Sequence, residues 1–182
     1  MKAHNGMRPH DIAVLLKIIA LGDQQWKNKD LAASLYLSPS EISESISRSE
    51  FAGLISSDRR KVYQMALESF IKNGLKYVFP VKPGSLVKGM PTAHSAPIMA
   101  QYFSSEEAYV WPDISEKKRG MVIEPLYPGA ASAAKEDATF YELLAICDVF
   151  RVGRVREIKK AEELMKELFK AKYISCKKLE IQ

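Results

Sequence analysis

Hydrophobic residues in the first 50 positions recur at three- and four-residue steps, the spacing of one helical face. The first stripe predicts a helix that Pro9 opens and Gly22 ends, since proline favours the first helical turn and glycine the C-terminal end. Two later pairs of apolar residues predict two shorter helices between Lys29 and Arg48, joined by a tight turn. The apolar positions that define these three helices are Ile12, Leu15, Leu16, Ile19, Leu31, Leu35, Ile42 and Ile46.

The third of these helices begins with a local capping signal. Ser38 is suited to accept a hydrogen bond from a free backbone N–H, Pro39 stands at the first helical position, and Glu41 follows Ser38 by three residues, as in a capping box. Because only Ile42 and Ile46 form an apolar seam, the sequence predicts that the rest of this helix is polar. Its polar residues are Ser40, Glu41, Ser43, Glu44, Ser45, Ser47 and Arg48.

The pattern changes after residue 61. Residues 62–73 predict a further helix, whereas the repeated prolines and glycines of residues 76–100 exclude a long helix and predict an extended connector. Within that connector, residues 77–81 predict a short strand. The connector also holds His94, which stands beside hydroxyl-bearing residues but has no acidic or basic partner nearby in the sequence.

Two apolar runs, residues 108–112 and 121–125, flank a polar segment and predict a β-hairpin. The end of that segment is basic, with Lys117, Lys118 and Arg119 in succession. From residue 128 onward the pattern is helical.

The helical C-terminal part contains three predicted elements. An alanine-rich segment extends to about Ala134, and Asp137 is expected to cap a helix that reaches Phe150. Gly153 interrupts the pattern, and residues 155–171 then predict a strongly amphipathic helix.

The composition is that of an ordinary globular protein, and its charge is uneven. The net charge is +5 overall; residues 1–80 and 151–182 are net positive and residues 81–150 are net negative, so the two ends are the candidates for meeting a polyanion. The N-terminus lacks a signal-peptide core and no run is long enough to span a membrane, so we expect a cytoplasmic protein without membrane contact. Cys147 and Cys176 have no metal-type spacing and are expected to be buried thiols.

The segment LAASLYLSPSEISESI, within residues 29–48, resembles the helix-turn-helix of bacterial repressors. Over residues 9–62 the chain is similar to winged helix-turn-helix transcriptional regulators, loosely of the MarR-like group. Residues 52–55 are small or apolar, and Asp58 is then followed by three basic residues, Arg59, Arg60 and Lys61. This order is similar to that of the short strand and basic hairpin that form the wing in that family. Tyr36 stands where the family usually has glycine in the turn.

The resemblance implies the N-terminal (winged) helix-turn-helix, and the patterns farther along the chain add a β-hairpin and C-terminal helices, so the expected fold is of the α+β class, mainly α. Together they divide the chain into a DNA-binding domain, residues 1–75, and a C-terminal domain, residues 76–182, with a possible dimerisation or effector role. Either residues 58–61 or residues 113–120 would supply the wing. The helix at 155–171 is the best candidate for dimerisation, and the alternative is that its apolar stripe closes this chain's own core.

The implied function is regulation of transcription by a homodimer on double-stranded DNA, with helix 38–48 in the major groove. Small serine side chains would allow this helix to approach the bases, and the basic residues would hold phosphates. No cofactor or metal is expected. The candidate DNA-binding residues are Ser38, Ser40, Glu41, Ser43, Glu44, Ser47, Arg48, Arg59, Arg60 and Lys61.

Three alternatives remain open at this level. The helix pair is also compatible with a plain helical hairpin in a bundle. An adaptor or antitoxin-like protein that binds another protein is favoured by the acidic Glu41 and Glu44, which would repel phosphates. An enzyme would have to use His94 or a pocket at residues 108–127, lined by Trp111 and Tyr127; because no catalytic motif supports this, we expect a protein that is not an enzyme.

Overall fold

A computed structural model describes residues 6–179 of the chain, with side chains for residues 6–171. The fold is mainly helical with a small sheet, as the α+β class predicts. The chain begins with α1 (Pro9–Leu21), α2 (Asn28–Leu35) and α3 (Pro39–Phe51). These bounds agree broadly with those expected from the apolar spacing, and the eight apolar residues that define the three helices are buried in one cluster.

The next segment is also helical. α4 (Gln64–Asn73) is followed at once by α5 (Leu75–Val78), a single turn. The strand predicted at residues 77–81 is therefore wrong. Leu75 is fully buried, and the backbone N–H of Phe79 donates to the Leu75 carbonyl at 2.9 Å, so burial of one apolar residue and local hydrogen bonding favour a helical turn here.

The sheet is built from segments that lie far apart in the sequence. β1 (Leu86–Pro91) is followed by a 3₁₀ turn at Ala93–Ser95 and by the short helix α6 (Pro97–Ala100), and then by β2 (Tyr109–Pro112) and β3 (Arg119–Val122). The first half of β1 pairs antiparallel with β3 and its second half pairs antiparallel with β2. β2 and β3 pair with each other in parallel, so the three strands close into a ring.

The β-hairpin predicted for residues 108–125 is therefore wrong, because its two strands run in the same direction. Both ends of the intervening loop lie on β1: the N–H of Asp113 donates to the Lys88 carbonyl at 3.1 Å, and the N–H of Gly89 donates to the Lys118 carbonyl at 2.9 Å. Backbone pairing with β1 therefore stops at residue 113 and resumes at residue 118. β2 and β3 thus pair with successive halves of β1 and also with each other, on either side of this loop.

Two glycines permit this tight closure. A Cβ on Gly89 would lie 2.0 Å from the Trp111 carbonyl oxygen, and a Cβ on Gly120 would lie 2.5 Å from the Ala108 carbonyl oxygen. Real Cβ atoms do not approach backbone oxygens so closely, so only glycine fits where neighbouring backbones come together at these points.

The C-terminal part contains α7 (Ala130–Glu136), α8 (Ala138–Val152) and α9 (Val155–Leu179). The Asp137 carboxylate accepts a hydrogen bond from the Phe140 N–H at 3.0 Å, which confirms the predicted cap of α8. In α9, apolar residues between Ile158 and Phe169 face the core of this chain, whereas Val155 at its start is exposed. The buried members of that stripe are Ala161, Leu164, Met165 and Phe169.

Polar side chains join the ring of strands and the N-terminal helices to α8. The buried Asp148 carboxylate accepts from the hydroxyl of Thr92 at 2.8 Å and from the indole N–H of Trp111 at 2.6 Å, and it pairs with Arg151 at 2.7 Å. Lys17 of α1 pairs with Asp137 at 2.8 Å. Because these groups are satisfied, they fix the sheet and α1 against α8 without leaving a buried charge alone.

None of the helices within residues 6–179 is both long enough and apolar enough to cross a membrane.

Candidate nucleic-acid interface

α3 is held in place by the capping box that the sequence predicts. The Ser38 hydroxyl accepts a hydrogen bond from the Glu41 N–H at 3.2 Å, and the Glu41 carboxylate accepts from the Ser38 N–H at 2.8 Å. Pro39 occupies the first helical position. Two otherwise unpaired backbone donors are satisfied, which fixes where α3 begins.

The outer face of α3 is open to solvent. Its two isoleucines, Ile42 and Ile46, are buried against the core. The exposed residues of the helix and its cap include every serine and glutamate predicted to contact DNA: Ser38, Ser40, Glu41, Ser43, Glu44 and Ser47. No other described segment of this chain covers that face.

The inner face of α3 differs from the prediction at Ser45, which was grouped with the polar outer residues. Ser45 and Ser49 are fully buried, and their hydroxyls have no hydrogen-bond partner among the described residues. Their small side chains allow α3 to pack closely on α1.

The two glutamates of the outer face are already engaged. The hydrogen bond from the Ser38 N–H lowers the pKa of Glu41, and the hydrogen bond with the Ser38 hydroxyl lowers it further. The Glu41 carboxylate is therefore a charged helix cap. Glu44 lies 3.5 Å from Arg48. These contacts leave Ser40 and Ser43 as the best-placed neutral side chains for contact with bases.

Arg48 lies in a different environment from the one its predicted role requires. It is buried, and its Nε and Nη2 donate to the two carboxylate oxygens of Asp11 in α1 at 2.8 and 2.7 Å. Nη2 also lies 3.0 Å from Nε2 of His10. Asp11 in turn accepts from the Arg8 N–H at 2.7 Å. Arg48 therefore anchors α3 to α1, and its guanidinium is not presented to solvent.

The turn between α2 and α3 has left-handed geometry at one residue. Tyr36 adopts φ 55° and ψ 39°, so a tyrosine takes the conformation in which glycine is expected. Its hydroxyl donates to the Glu136 carboxylate of α7. Gly129, just before α7, approaches the same turn, because a Cβ there would lie 2.8 Å from the Leu35 carbonyl oxygen. The turn is thus supported from the C-terminal part of the chain.

A very short hairpin follows α3. Ile55 and Val62 form an isolated antiparallel bridge, and the Ser56 N–H donates to the Lys61 carbonyl at 2.8 Å. The tip is closed by Asp58, which accepts from the Arg60 N–H at 3.1 Å, and by a positive φ of 61° at Arg59. The hairpin is shorter than an ordinary wing, because α4 begins directly after it.

The three cations of this hairpin tip differ in the contacts that their side chains form. Arg59 is about half exposed and its Nε donates to Glu50 at 2.7 Å. Arg60 stacks on the Trp26 ring at 4.7 Å and donates to the Trp26 carbonyl at 2.8 Å. Lys61 is exposed and takes part in no ion pair among the described residues. Lys61 is therefore the most available for a phosphate.

Three residues at the start of α2, which the sequence analysis does not single out, lie near the outer face of α3. Asn28 lines a shallow cavity of about 170 Å³ together with Ser43 and Arg60, between the start of α2, the outer face of α3 and the hairpin tip. Lys27 and Lys29 flank Asn28 and are exposed. These residues could have been identified from the sequence by their position at the N-terminus of α2, since helix N-termini frequently contact phosphates.

The residues that an enzyme would have to use, His94, Trp111 and Tyr127, are all buried. His94 is buried, its Nε2 lies 2.9 Å from the Glu107 carbonyl oxygen, and its ring meets Tyr109 edge to face. Trp111 and Tyr127 are both buried in the core. No group of three His, Cys, Asp or Glu side chains within the described part of the chain is arranged to hold a metal.

A larger cavity, of about 860 Å³, lies between the loop at residues 103–107 and the start of α9. Arg154 and Arg156 line it together with Glu106 and Glu107, so its charges are mixed. Arg151, which the sequence places beside these arginines, is buried and bound to Asp148.

Cys147 is buried, and burial raises the pKa of its thiol, as expected for a structural cysteine. The side chain of Cys176, predicted to be similar, lies outside the described residues.

Comparison of this chain with models of known protein families, with curated proteins and with solved structures gave no match.

Proposed function

We propose that this chain is a DNA-binding transcriptional regulator in which α3 enters the major groove. The observation that carries the proposal is the division of α3 into a buried apolar seam and an open face of short polar side chains. A helix of this kind fits the width of the groove and lets its backbone come close to the bases. In the cell, such a regulator would act in the cytoplasm.

The roles within the proposed interface follow from each residue's surroundings. Ser40 and Ser43 contact bases, whereas Glu41 caps the helix and Arg48 orients it from within the core. Lys61 and Arg59 hold phosphates on one side of the helix. Lys27, Asn28 and Lys29 hold phosphates at the start of α2, next to the cavity shared with Ser43.

The expected homodimer remains part of the proposal, since two-fold regulators bind two half-sites about one helical turn of DNA apart. The buried stripe of α9 up to Phe169 supports its use in this chain's own core. A dimer would therefore use other surfaces, and sedimentation velocity of the purified protein gives the subunit number.

A protein-interaction role is the second candidate, and exposed apolar side chains next to α3 favour it. Phe51 at the end of α3 is 76% exposed and Met65 in α4 is 86% exposed. Together with the acidic Glu44 and Glu50, they would suit a protein partner better than a phosphate backbone.

The test is a gel-shift titration of genomic fragments at two salt concentrations, using the wild type, Ser43→Glu and Ser104→Glu. Both serines are exposed, so the two variants add the same charge at different places. We expect Ser43→Glu to weaken binding at least tenfold and Ser104→Glu to leave it unchanged. Equal binding by all three proteins removes α3 from the interface, and no retardation of the wild type at low salt favours the protein-interaction role.

A further inference from the structure

Four basic residues form a separate cluster on the ring of strands, outside the interface described above. Lys88 of β1 lies directly opposite Arg119 of β3 in the antiparallel register, and Lys117 and Lys118 precede Arg119 in the loop. All four are exposed. We call these residues the basic loop surface.

The like-charged pair of Lys88 and Arg119 carries an energetic cost. Side chains directly opposite each other in an antiparallel pair lie on the same face, and like charges there destabilise the sheet. Within residues 6–171 neither residue forms an ion pair, and neither do Lys117 and Lys118. No ion pair among the described residues offsets this repulsion, as expected of a surface whose counter-charge comes from a partner.

The two acidic residues of the same loop do not neutralise this surface. Lys135 of α7 pairs with Asp113 and lies 3.7 Å from Glu116, and it also donates to the Ser115 hydroxyl at 2.7 Å. These contacts hold both carboxylates on the α7 side of the loop. The cations that follow in the sequence are left facing solvent.

Contacts through α7 place the basic loop surface near the start of α3. Lys135 binds the loop, and the next residue, Glu136, accepts the hydrogen bond from Tyr36 in the turn that precedes α3. The loop and the turn before α3 therefore both contact α7, at consecutive residues.

We propose that the basic loop surface is a second phosphate-binding surface, which contacts the same duplex beyond the N-terminal end of α3 and adds to the contacts of the short hairpin at residues 55–62. This inference rests on the proposed function, since the duplex must first lie on α3. A DNA duplex presents one negative charge per roughly 1.7 Å of axis, so phosphates continue past the groove that α3 occupies. The loop contacts add affinity without reading sequence.

The experiment measures binding of a 30-base-pair duplex of random sequence by fluorescence anisotropy across a series of salt concentrations. The loop variant is Lys117→Ala/Lys118→Ala/Arg119→Ala. The control variant removes three exposed cations from α9: Arg156→Ala/Lys159→Ala/Lys170→Ala. Both variants change the net charge equally, so a difference between them reports position and not total charge.

We expect the loop variant to lower the slope of log K against log salt by about two to three, because each lost phosphate contact removes about 0.9. We expect the control variant to keep the wild-type slope. Since the substitution Arg119→Ala also relieves the repulsion from Lys88, thermal unfolding of the loop variant should show an unchanged or raised Tm. A purely structural role of these residues would lower Tm instead.

The outcomes separate the two proposals. A wild-type slope in the loop variant, or equal loss of slope in the loop and control variants, overturns the basic loop surface while binding through α3 stands. No binding by the wild type overturns the function itself. If the triple variant fails to fold, the double variant Lys117→Gln/Lys118→Gln replaces it, since both residues precede β3. It is compared with the same control, and we expect its slope to fall by about two.

Discussion

Arg48 of α3 and Asp11 of α1 form a two-pronged ion pair in the protein interior, with nitrogen–oxygen distances of 2.8 and 2.7 Å. The Asp11 side chain is fully buried and that of Arg48 is 9% exposed. The same carboxylate caps the first turn of α1 through the Arg8 N–H. One aspartate thus fixes both the start of α1 and the orientation of α3.

Removal of one partner of this pair should destabilise the protein strongly. Asp11→Ala removes the buried counter-charge of the Arg48 guanidinium, and such losses cost about 3–5 kcal/mol. Urea unfolding followed by circular dichroism measures the change. Glu44→Ala removes the other, exposed carboxylate near Arg48 and serves as the control, with an expected change below about 1 kcal/mol. Equal effects of the two substitutions would contradict the anchoring role of Asp11.

His10 should make the stability of the α1–α3 contact depend on pH. Burial lowers the pKa of His10 below its ordinary 6.5, Asp11 and Glu41 oppose that shift, and Arg48 and Arg8 add to it. A lowered folded-state pKa means that the unfolded chain takes up the proton first. The stabilisation is complete above about pH 6.5 and is lost as pH falls through the folded-state pKa.

The measurement is the free energy of unfolding as a function of pH, compared between the wild type and His10→Gln. The glutamine amide oxygen can still accept from Arg48, but it does not titrate. We expect the variant to lose less stability between pH 7 and pH 5 than the wild type. Identical profiles would show that His10 does not contribute.

The buried hydroxyls of Ser45 and Ser49 should each reduce stability. A buried hydroxyl without a partner loses its hydrogen bonds to water, at a cost of about 1–3 kcal/mol. Ser45→Ala and Ser49→Ala should therefore raise Tm, since alanine also favours the helix. Ser47→Ala, on the exposed face, is the matched control and should change Tm much less. A lower Tm in both buried variants would mean that these hydroxyls have partners.

The closed ring of strands should depend on glycine at specific positions. Gly89→Ala places a Cβ 2.0 Å from the Trp111 carbonyl oxygen, so the backbone must separate; we expect a loss of about 1–3 kcal/mol or more in unfolding free energy. Gly84→Ala is the control, because its Cβ would meet Val122 at an ordinary 3.6 Å. If both substitutions were equally tolerated, the strands would not be closed as described.

The local signals of the sequence predicted the helices well. The Ser38–Pro39–Glu41 pattern located the start of α3, and Asp137 located the start of α8, because caps depend on residues within one turn. The spacing of Ile42 and Ile46 also predicted most of the exposed face of α3, but not the burial of Ser45 and Arg48.

Contacts between distant residues could not be predicted in the same way. The burial of Arg48 depends on Asp11, 37 positions earlier in the sequence, and the parallel pairing of β2 and β3 depends on β1. In the basic loop surface, the run at residues 117–119 is visible in the sequence, but its pairing with Lys88 depends on the fold. Residues 81–150 are net negative, but several of their carboxylates are buried or paired, as Asp148 and Asp113 are, so the regional charge does not describe the surface. The division into two domains at residue 75 stays a prediction.

The hairpin tip after α3 offers a graded test of phosphate contact. On the sequence alone, Arg59→Ala/Arg60→Ala should weaken binding to all DNA sequences and flatten the salt slope. The structure refines this expectation, since Arg60 covers the Trp26 ring and bonds its carbonyl. Arg60→Ala should therefore also lower stability, by about 0.5–2 kcal/mol for the stacking contact.

Lys61→Ala separates phosphate contact from this structural effect. Lys61 is exposed and forms no ion pair within the described chain, so its removal should leave Tm unchanged and lower the salt slope of duplex binding by about 0.9. Arg59→Ala should lower the slope less, because Glu50 already compensates part of its charge. Anisotropy titrations with two unrelated duplexes should give the same loss for both, since phosphate contacts carry no sequence information. A loss confined to one duplex would instead assign Lys61 to base contact.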